Sequence, residues 1–225
     1  VGPSGINIER FDEKMKLEQN RRLVTYYSLL TQMRVNGGND YINLVNSILS
    51  GKCNQQACLE NYDFKVMSDF NRFNNLQQKL EDEFTLSRMI AGYAWEWKSK
   101  KDKSLYDMEL DGVKKQWNYR LENWVLSEGA DKQVGCIHTI QGFDLNYGFV
   151  IMGNEIGYDP ESKEIIVRPE NYYDQNGRKT ASKEELLEYI KHIYYVLMTR
   201  GIKGTYLYIC DDNLRKYVSS IIGEI

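Results

Sequence analysis

Proline is scarce in this 225-residue chain, with three in all, histidine occurs twice and cysteine four times. So little proline, with no biased tract, excludes collagen-like, linker-rich and low-complexity sequence. The cysteines, Cys53, Cys58, Cys136 and Cys210, form no C-x-x-C pair, and His138 and His192 are equally scattered. Zinc sites use close-set ligand pairs, so no metal site is expected, and ordinary thiols in a reducing, cytosolic compartment are. No apolar run approaches the roughly 18 residues of a membrane span, and no charged-then-apolar leader is legible, so no membrane partner is expected. Also missing is any G-x-x-x-x-G-K-[ST] run, the backbone cradle that holds nucleotide phosphates and supplies a magnesium-binding hydroxyl. Neither charge is in large excess: 29 Lys+Arg against 32 Asp+Glu leave a formal net charge of −3. A pI near 5.6 argues against a basic module that coats nucleic acid, while leaving room for one local groove.

What is present suits a folded domain. A hydrophobic fraction of 42% and a charged fraction of 27% are globular values, and a chain this long buries a core without disulfide or metal staples. Residues 1–20 are polar and read as an irregular arm; within it FDEKM (11–15) reads as a solvated turn, because no apolar strand precedes its acids. From residue 21 to 225 strand-like and helix-like segments alternate. Apolar or β-branched runs at 24–33, 64–68, 87–97, 134–138, 147–153, 163–169 and 204–210 read as strands. Between them, Asp40 is placed to cap a helix with Tyr41, Leu44, Val45, Ile48 and Leu49 on one face, which Gly51 stops. Asp69 or Asn71 is placed to cap a second helix ending near Phe84. Ser182 and Glu185 have capping-box spacing before a helix whose face is Leu186, Ile190, Ile193, Tyr194 and Leu197, with Gly201 at its end. DDNLRKYVSSII reads as a closing helix. Strands alternating with crossover helices predict an α/β, three-layer fold with a mostly parallel sheet flanked by helices.

Three segments at element ends carry candidate chemistry, since ligands of open α/β sheets bind at such ends. TQMRVNGG places Arg34 just past a strand. CIHTIQGFDLNYG places His138, Thr139, Gln141, Gly142 and Asp144 in a turn between strands. YYVLMTRGIKGTYLY places Arg200 at a helix C-terminus, where an arginine alone reads as a dipole complement. A His138/Asp144 acid–base pair in an unrelated α/β enzyme is an alternative, but no nucleophile elbow accompanies it. Trp95, Trp97 and the KSKKDK run have the composition of a single-strand contact, although tryptophans packed beside a solvated lysine loop explain them better.

Taken together, TQMRVNGGNDYI, SRMIAGYAWEWKSKKD, VGCIHTIQGFDLNYGFVIMG and LMTRGIKGTYLY resemble motifs of superfamily-one helicases, and most closely the Schlafen group 3-like DNA/RNA helicase domain, common in bacterial proteins. The resemblance spans about 31–210. It implies a RecA-like second domain, of P-loop NTPase type but lacking the P-loop, working with an N-terminal RecA-like domain of the same longer protein. ATP and Mg2+ would be bound only with that first half, so this chain alone is expected to be inactive as an ATPase. By the same resemblance Arg200 and Arg34 would be arginine fingers. Guanidinium groups that meet the charge on a transferring phosphoryl group are worth about 10³–10⁵ in rate. Asp144, with Gln141 and Gly142 beside it, would face the nucleotide, where relatives use a longer glutamate to reach the ribose. Met33 stands where many relatives stack an aromatic on adenine. His138 and Thr139 would touch the backbone of single-stranded DNA or RNA. A RecA-like scaffold or nucleic-acid adaptor without motor activity is the alternative function.

Overall fold

The computed structural model describes Lys16, residues 32–174 and residues 181–225. Apart from Lys16, the arm expected over 1–20 and its turn at 11–15 lie outside the described residues. So does the strand expected over 24–33, except Gln32 and Met33, which are irregular.

Nine strands are described: β1 (Asp63–Val66), β2 (Ser87–Ala91), β3 (Met108–Leu110), β4 (Val113–Lys115), β5 (Val134–Gly135), β6 (Leu145–Met152), β7 (Ile156–Asp159), β8 (Glu164–Val167) and β9 (Gly201–Ile209). Four α-helices join them: α1 (Gly38–Leu49), α2 (Phe70–Phe84), α3 (Lys183–Met198) and α4 (Asp212–Ile222). The central sheet has the order β1-β9-β6-β2-β5, and every pairing in it is parallel. Two antiparallel hairpins, β3–β4 and β7–β8, stand apart from it.

Strand period explains the layers. Along β6, Val150 and Met152 face one way with Ile90, Leu207 and Ile209, under α1, α3 and α4. Phe149 and Ile151 face the other way with Met89, Tyr206 and Tyr208, under Phe70, Phe73 and Leu80 of α2 and Met108 and Trp117 of the β3–β4 insertion. A parallel sheet covered on both faces reads as continuous apolar runs, and all five residues of β2 are buried. The predicted three-layer α/β architecture is therefore the observed one, compatible with a RecA-like domain.

Two of the predicted caps form as expected. Asp69 accepts from the Arg72 N–H at 3.0 Å, and Ser182 and Glu185 bond reciprocally at 3.2 and 2.9 Å. Other boundaries need correction. The N-cap of α1 is Gly37, with no side-chain cap, and Asp40 lies in the first turn, where its charge still complements the helix dipole. Gly201 does not end α3, whose C-cap is Thr199; it opens β9, and a Cβ there would lie 2.1 Å from the Gly204 carbonyl oxygen. The run 87–97 is strand only to Ala91, because the next backbone, at Gly92, lies against the Glu155 and Tyr194 side chains. The run 134–138 stops at Gly135 and turns. The run 163–169 contributes β8 to a hairpin outside the central sheet.

Candidate functional site

Residues of all three candidate segments meet at the amino-terminal edge of the sheet. Asp144 precedes β6 and Arg200 precedes β9, and the first residues of these strands, Leu145 and Gly201, are register partners. Arg34 reaches the same place from the segment before α1: its Nε lies 2.9 Å from Asp144 Oδ1, with both side chains about half exposed. Arg200 is half-buried beside them. Its pKa is held below the usual arginine range, first by burial and then by the neighbouring Arg34 charge, with Asp144 opposing. An arginine stays protonated under such a shift, so two cations face one carboxylate. Arg200 Nε is buried and has no hydrogen-bond partner among the described residues.

The backbone around Arg200 is held from several sides. The Tyr41 hydroxyl donates to the Met198 carbonyl at 2.6 Å, and the Thr205 hydroxyl donates to the same oxygen at 3.0 Å. Tyr62 donates to the Gly201 carbonyl at 2.8 Å, and the Leu145 N–H donates to the Arg200 carbonyl at 2.9 Å. Tyr41, Tyr62 and Thr205 are buried, so these bonds act in a low-dielectric setting that strengthens them. Arg34 is fixed more lightly. The Gln32 side-chain oxygen accepts from the Arg34 and Val35 N–H groups, buried Val35 anchors the turn, and Asn36 N–H donates to the Ile202 carbonyl at 2.8 Å. Sequence reasoning missed Tyr41, Tyr62 and Thr205 as positioning groups. Tyrosine in place of phenylalanine or leucine at core-facing positions was the available signal, since a buried hydroxyl needs a partner.

The other nucleotide-side candidates share this edge. Gln141 and Gly142 are exposed in the turn before Asp144, and Gly142 has φ +87°, a conformation that favours glycine. Met33 is almost fully exposed, at 91%. An open polar hollow of about 320 Å³ is lined by Asn36, Asp63, Tyr147 and Lys203, among others.

His138 lies elsewhere. It follows β5, and its ring meets that of Tyr93, just past β2, at a centroid distance of 6.2 Å. This is the carboxyl-terminal side of the sheet. His138 is exposed, whereas Thr139 is buried. The Thr139 hydroxyl accepts from the Cys136 N–H at 2.8 Å and donates to the Cys136 carbonyl at 3.0 Å, which closes the turn. No His138/Asp144 acid–base pair forms, since Asp144 is engaged by Arg34 and His138 by Tyr93. Trp95 and Trp97 pack against the aromatic face of the core, and Lys100 Nζ sits 4.9 Å from the Trp97 ring centroid. The packing explanation of these tryptophans holds.

The same carboxyl-terminal side hides a group that the sequence did not single out. Glu155, which follows β6, is 1% exposed. Its Oε1 accepts a short hydrogen bond from the Tyr194 hydroxyl, and Oε2 has no partner among the described residues. Burial pushes its carboxyl up to about 7, against the lowering effect of the Tyr194 bond.

The amino-terminal edge can therefore receive an anion on preorganised guanidinium groups. Among the described residues no group of three or more His, Cys, Asp and Glu side chains converges to hold a metal ion, and no helix is long and apolar enough to cross a membrane.

The chain is 31% identical over 215 residues to an uncharacterized protein of Saccharomyces cerevisiae, covering 85% of this chain and 47% of that protein. It thus spans about half the length of this curated relative. No solved structure matches the chain. Residues 5–211 match the family described as Schlafen group 3, DNA/RNA helicase domain, and the chain belongs to that family.

Proposed function

We propose that this domain is the C-terminal RecA-like half of an ATP-dependent DNA/RNA helicase or translocase, and that it presents Arg200 and Arg34 to the polyphosphate of ATP. The observation that carries this reading is the contrast within Arg200. Its peptide is clamped by Tyr41, Tyr62 and Thr205 through the flanking carbonyls, while its buried Nε is unpartnered among the described residues. Fixed donors aimed at developing charge stabilise a transition state without reorganising at the moment of reaction. The residues here fit the phosphate end of ATP. In this reading they do not form the magnesium site, and the metal and the P-loop cradle belong to the N-terminal RecA-like domain of the longer protein. Bound ATP and Mg2+ would supply the reacting phosphoryl group and its principal counter-charge; this chain supplies the arginines, and Gln141, Gly142 and Asp144 border the nucleotide.

Single-stranded DNA or RNA is proposed to run along the carboxyl-terminal side, where His138 is exposed. Thr139 would act there by shaping the turn that presents His138, because its hydroxyl is bonded to Cys136. Contacts of this kind position a strand without reading its sequence.

The test is Arg200→Ala in the full-length protein. ATP turnover is expected to fall by about 10³-fold or more, with nucleotide affinity little changed. Unchanged turnover contradicts the assignment, and a full-length protein with no ATPase activity at all supports a scaffold or adaptor instead.

A further inference from the structure

The Arg34–Asp144 contact raises a question of its own: why does a site suited to an anion already contain a carboxylate? Asp144 sits at the start of β6, one residue before Leu145, whose N–H holds the Arg200 carbonyl. Its backbone is therefore held beside that of Arg200, and its carboxylate pairs with Arg34 at 2.9 Å and offsets the mutual effect of the Arg34 and Arg200 charges. Two like charges this close need a counter-charge when no ligand is bound, and one carboxylate supplies half of it.

We propose that Asp144 is an internal stand-in for the anionic ligand, occupying Arg34 in the free domain and releasing it when a polyphosphate arrives. The inference rests on reading the arginine pair as a polyphosphate site. The pair is built for exchange. Both partners are about half exposed, and an ion pair so open to water is weak and easily displaced. Arg200 is left with a buried, unpartnered Nε among the described residues, so a ligand carrying several negative charges can engage both guanidinium groups where Asp144 holds one. Asp144 is thus a positioning residue that keeps Arg34 in place yet competes with the ligand for it.

Inorganic tripolyphosphate, titrated into the 225-residue chain at low ionic strength, tests the exchange. NMR of the arginine Nε–H groups reports on Arg34 and Arg200 separately, and the amide spectrum confirms that each variant is folded. Asp144→Asn is expected to bind tripolyphosphate about two- to fivefold more tightly, the range that loss of an exposed ion pair corresponds to, and added salt should shrink the gain. In an Arg34→Gln background the gain should vanish, because the competition acts through Arg34. Equal or weaker binding by Asp144→Asn overturns the proposal. So does a gain that persists in Arg34→Gln, which would mark a general charge effect. The two readings fail differently. If tripolyphosphate binding is lost in Arg200→Gln but untouched by Asp144→Asn, only the exchange falls. If neither wild type nor any variant binds, the polyphosphate reading of the arginine pair falls and takes the exchange with it.

Discussion

The two ends of the parallel sheet treat charge in opposite ways. At the amino-terminal edge two arginines and one carboxylate stand half in water on a backbone tied down by buried hydroxyls. At the carboxyl-terminal end one carboxylate, Glu155, is taken wholly inside, against Tyr194, Gly92 and Gly153. An exposed charge is inexpensive to keep and ready for a ligand. A buried one raises its own pKa and couples the fold to protons. In the proposed function the nucleotide is met at the edge where side chains are half exposed and backbone is fixed, while at the other end, where His138 is exposed, Glu155 forms an enclosed structural joint.

Breaking the enclosed end should have the largest effect. At Gly153 an added Cβ would lie 2.1 Å from the Ala94 Cβ and 2.6 Å from Glu155 Oε2. The Ala94 Cβ is fixed to its backbone and cannot swing aside, so Gly153→Ala is expected to destabilise the fold by about 3 kcal/mol or more, at the upper end of overpacking costs. Denaturant unfolding of the variant against wild type measures it.

Glu155 gives a second test, with a definite sign. Burial raises its folded pKa to about 7 from the ordinary 4.5, so between these values the folded state holds more proton than the unfolded state. Stability from this group is complete below about pH 4.5, declines as pH rises and is gone above about 7. The loss is on the order of 3 kcal/mol. Glu155→Gln keeps an acceptor for Tyr194 and removes the titrating charge. Unfolding midpoints over this range should lose that part of their pH slope, while a slope identical to wild type would contradict the burial argument. Burial first, and then the Glu155 charge, push the Cys210 thiol up to about 12, so that thiol should react slowly with alkylating reagents.

A smaller effect is expected at the other end. Tyr62→Phe removes the hydroxyl that donates to the Gly201 carbonyl and pairs with Thr205. The cost should be about 1 kcal/mol, the net worth of a typical buried hydrogen bond. The comparison sharpens if the same variant lowers ATP turnover in the full-length protein by more than its stability loss explains, since Tyr62 positions the peptide beside Arg200.

The sequence and the structure agree best where one physical pattern dominates. β6 and β9 are apolar runs and prove to be central buried strands, and Asp69 and Ser182 cap their helices through side chains whose spacing was legible. Disagreement follows from tertiary packing. The residues after Ala91 have the composition of a strand, but Gly92 must pass Glu155 and Tyr194, and Trp95 and Trp97 fill the space under the insertion. β-Propensity cannot separate a buried aromatic coil from a buried strand. Glu155 sits in NEIG, where nothing local announces that a carboxylate will be enclosed. Arg34, Asp144 and Arg200 were singled out by resemblance to a motif set. Their convergence depends on strand order, in which β6 and β9 become neighbours despite the intervening hairpin and helix. The Thr139 hydroxyl is used within its own turn, a use that residue type and position alone do not reveal.

The contrast between the two ends is tested most directly by single-turnover ATP hydrolysis in the full-length protein, with Arg200→Ala and Glu155→Gln side by side. Arg200→Ala is expected to lose about 10³-fold or more in the hydrolysis rate, while Glu155→Gln stays close to wild type. Hydrolysis that survives Arg200→Ala, or that is lost in a folded Glu155→Gln, would contradict the contrast.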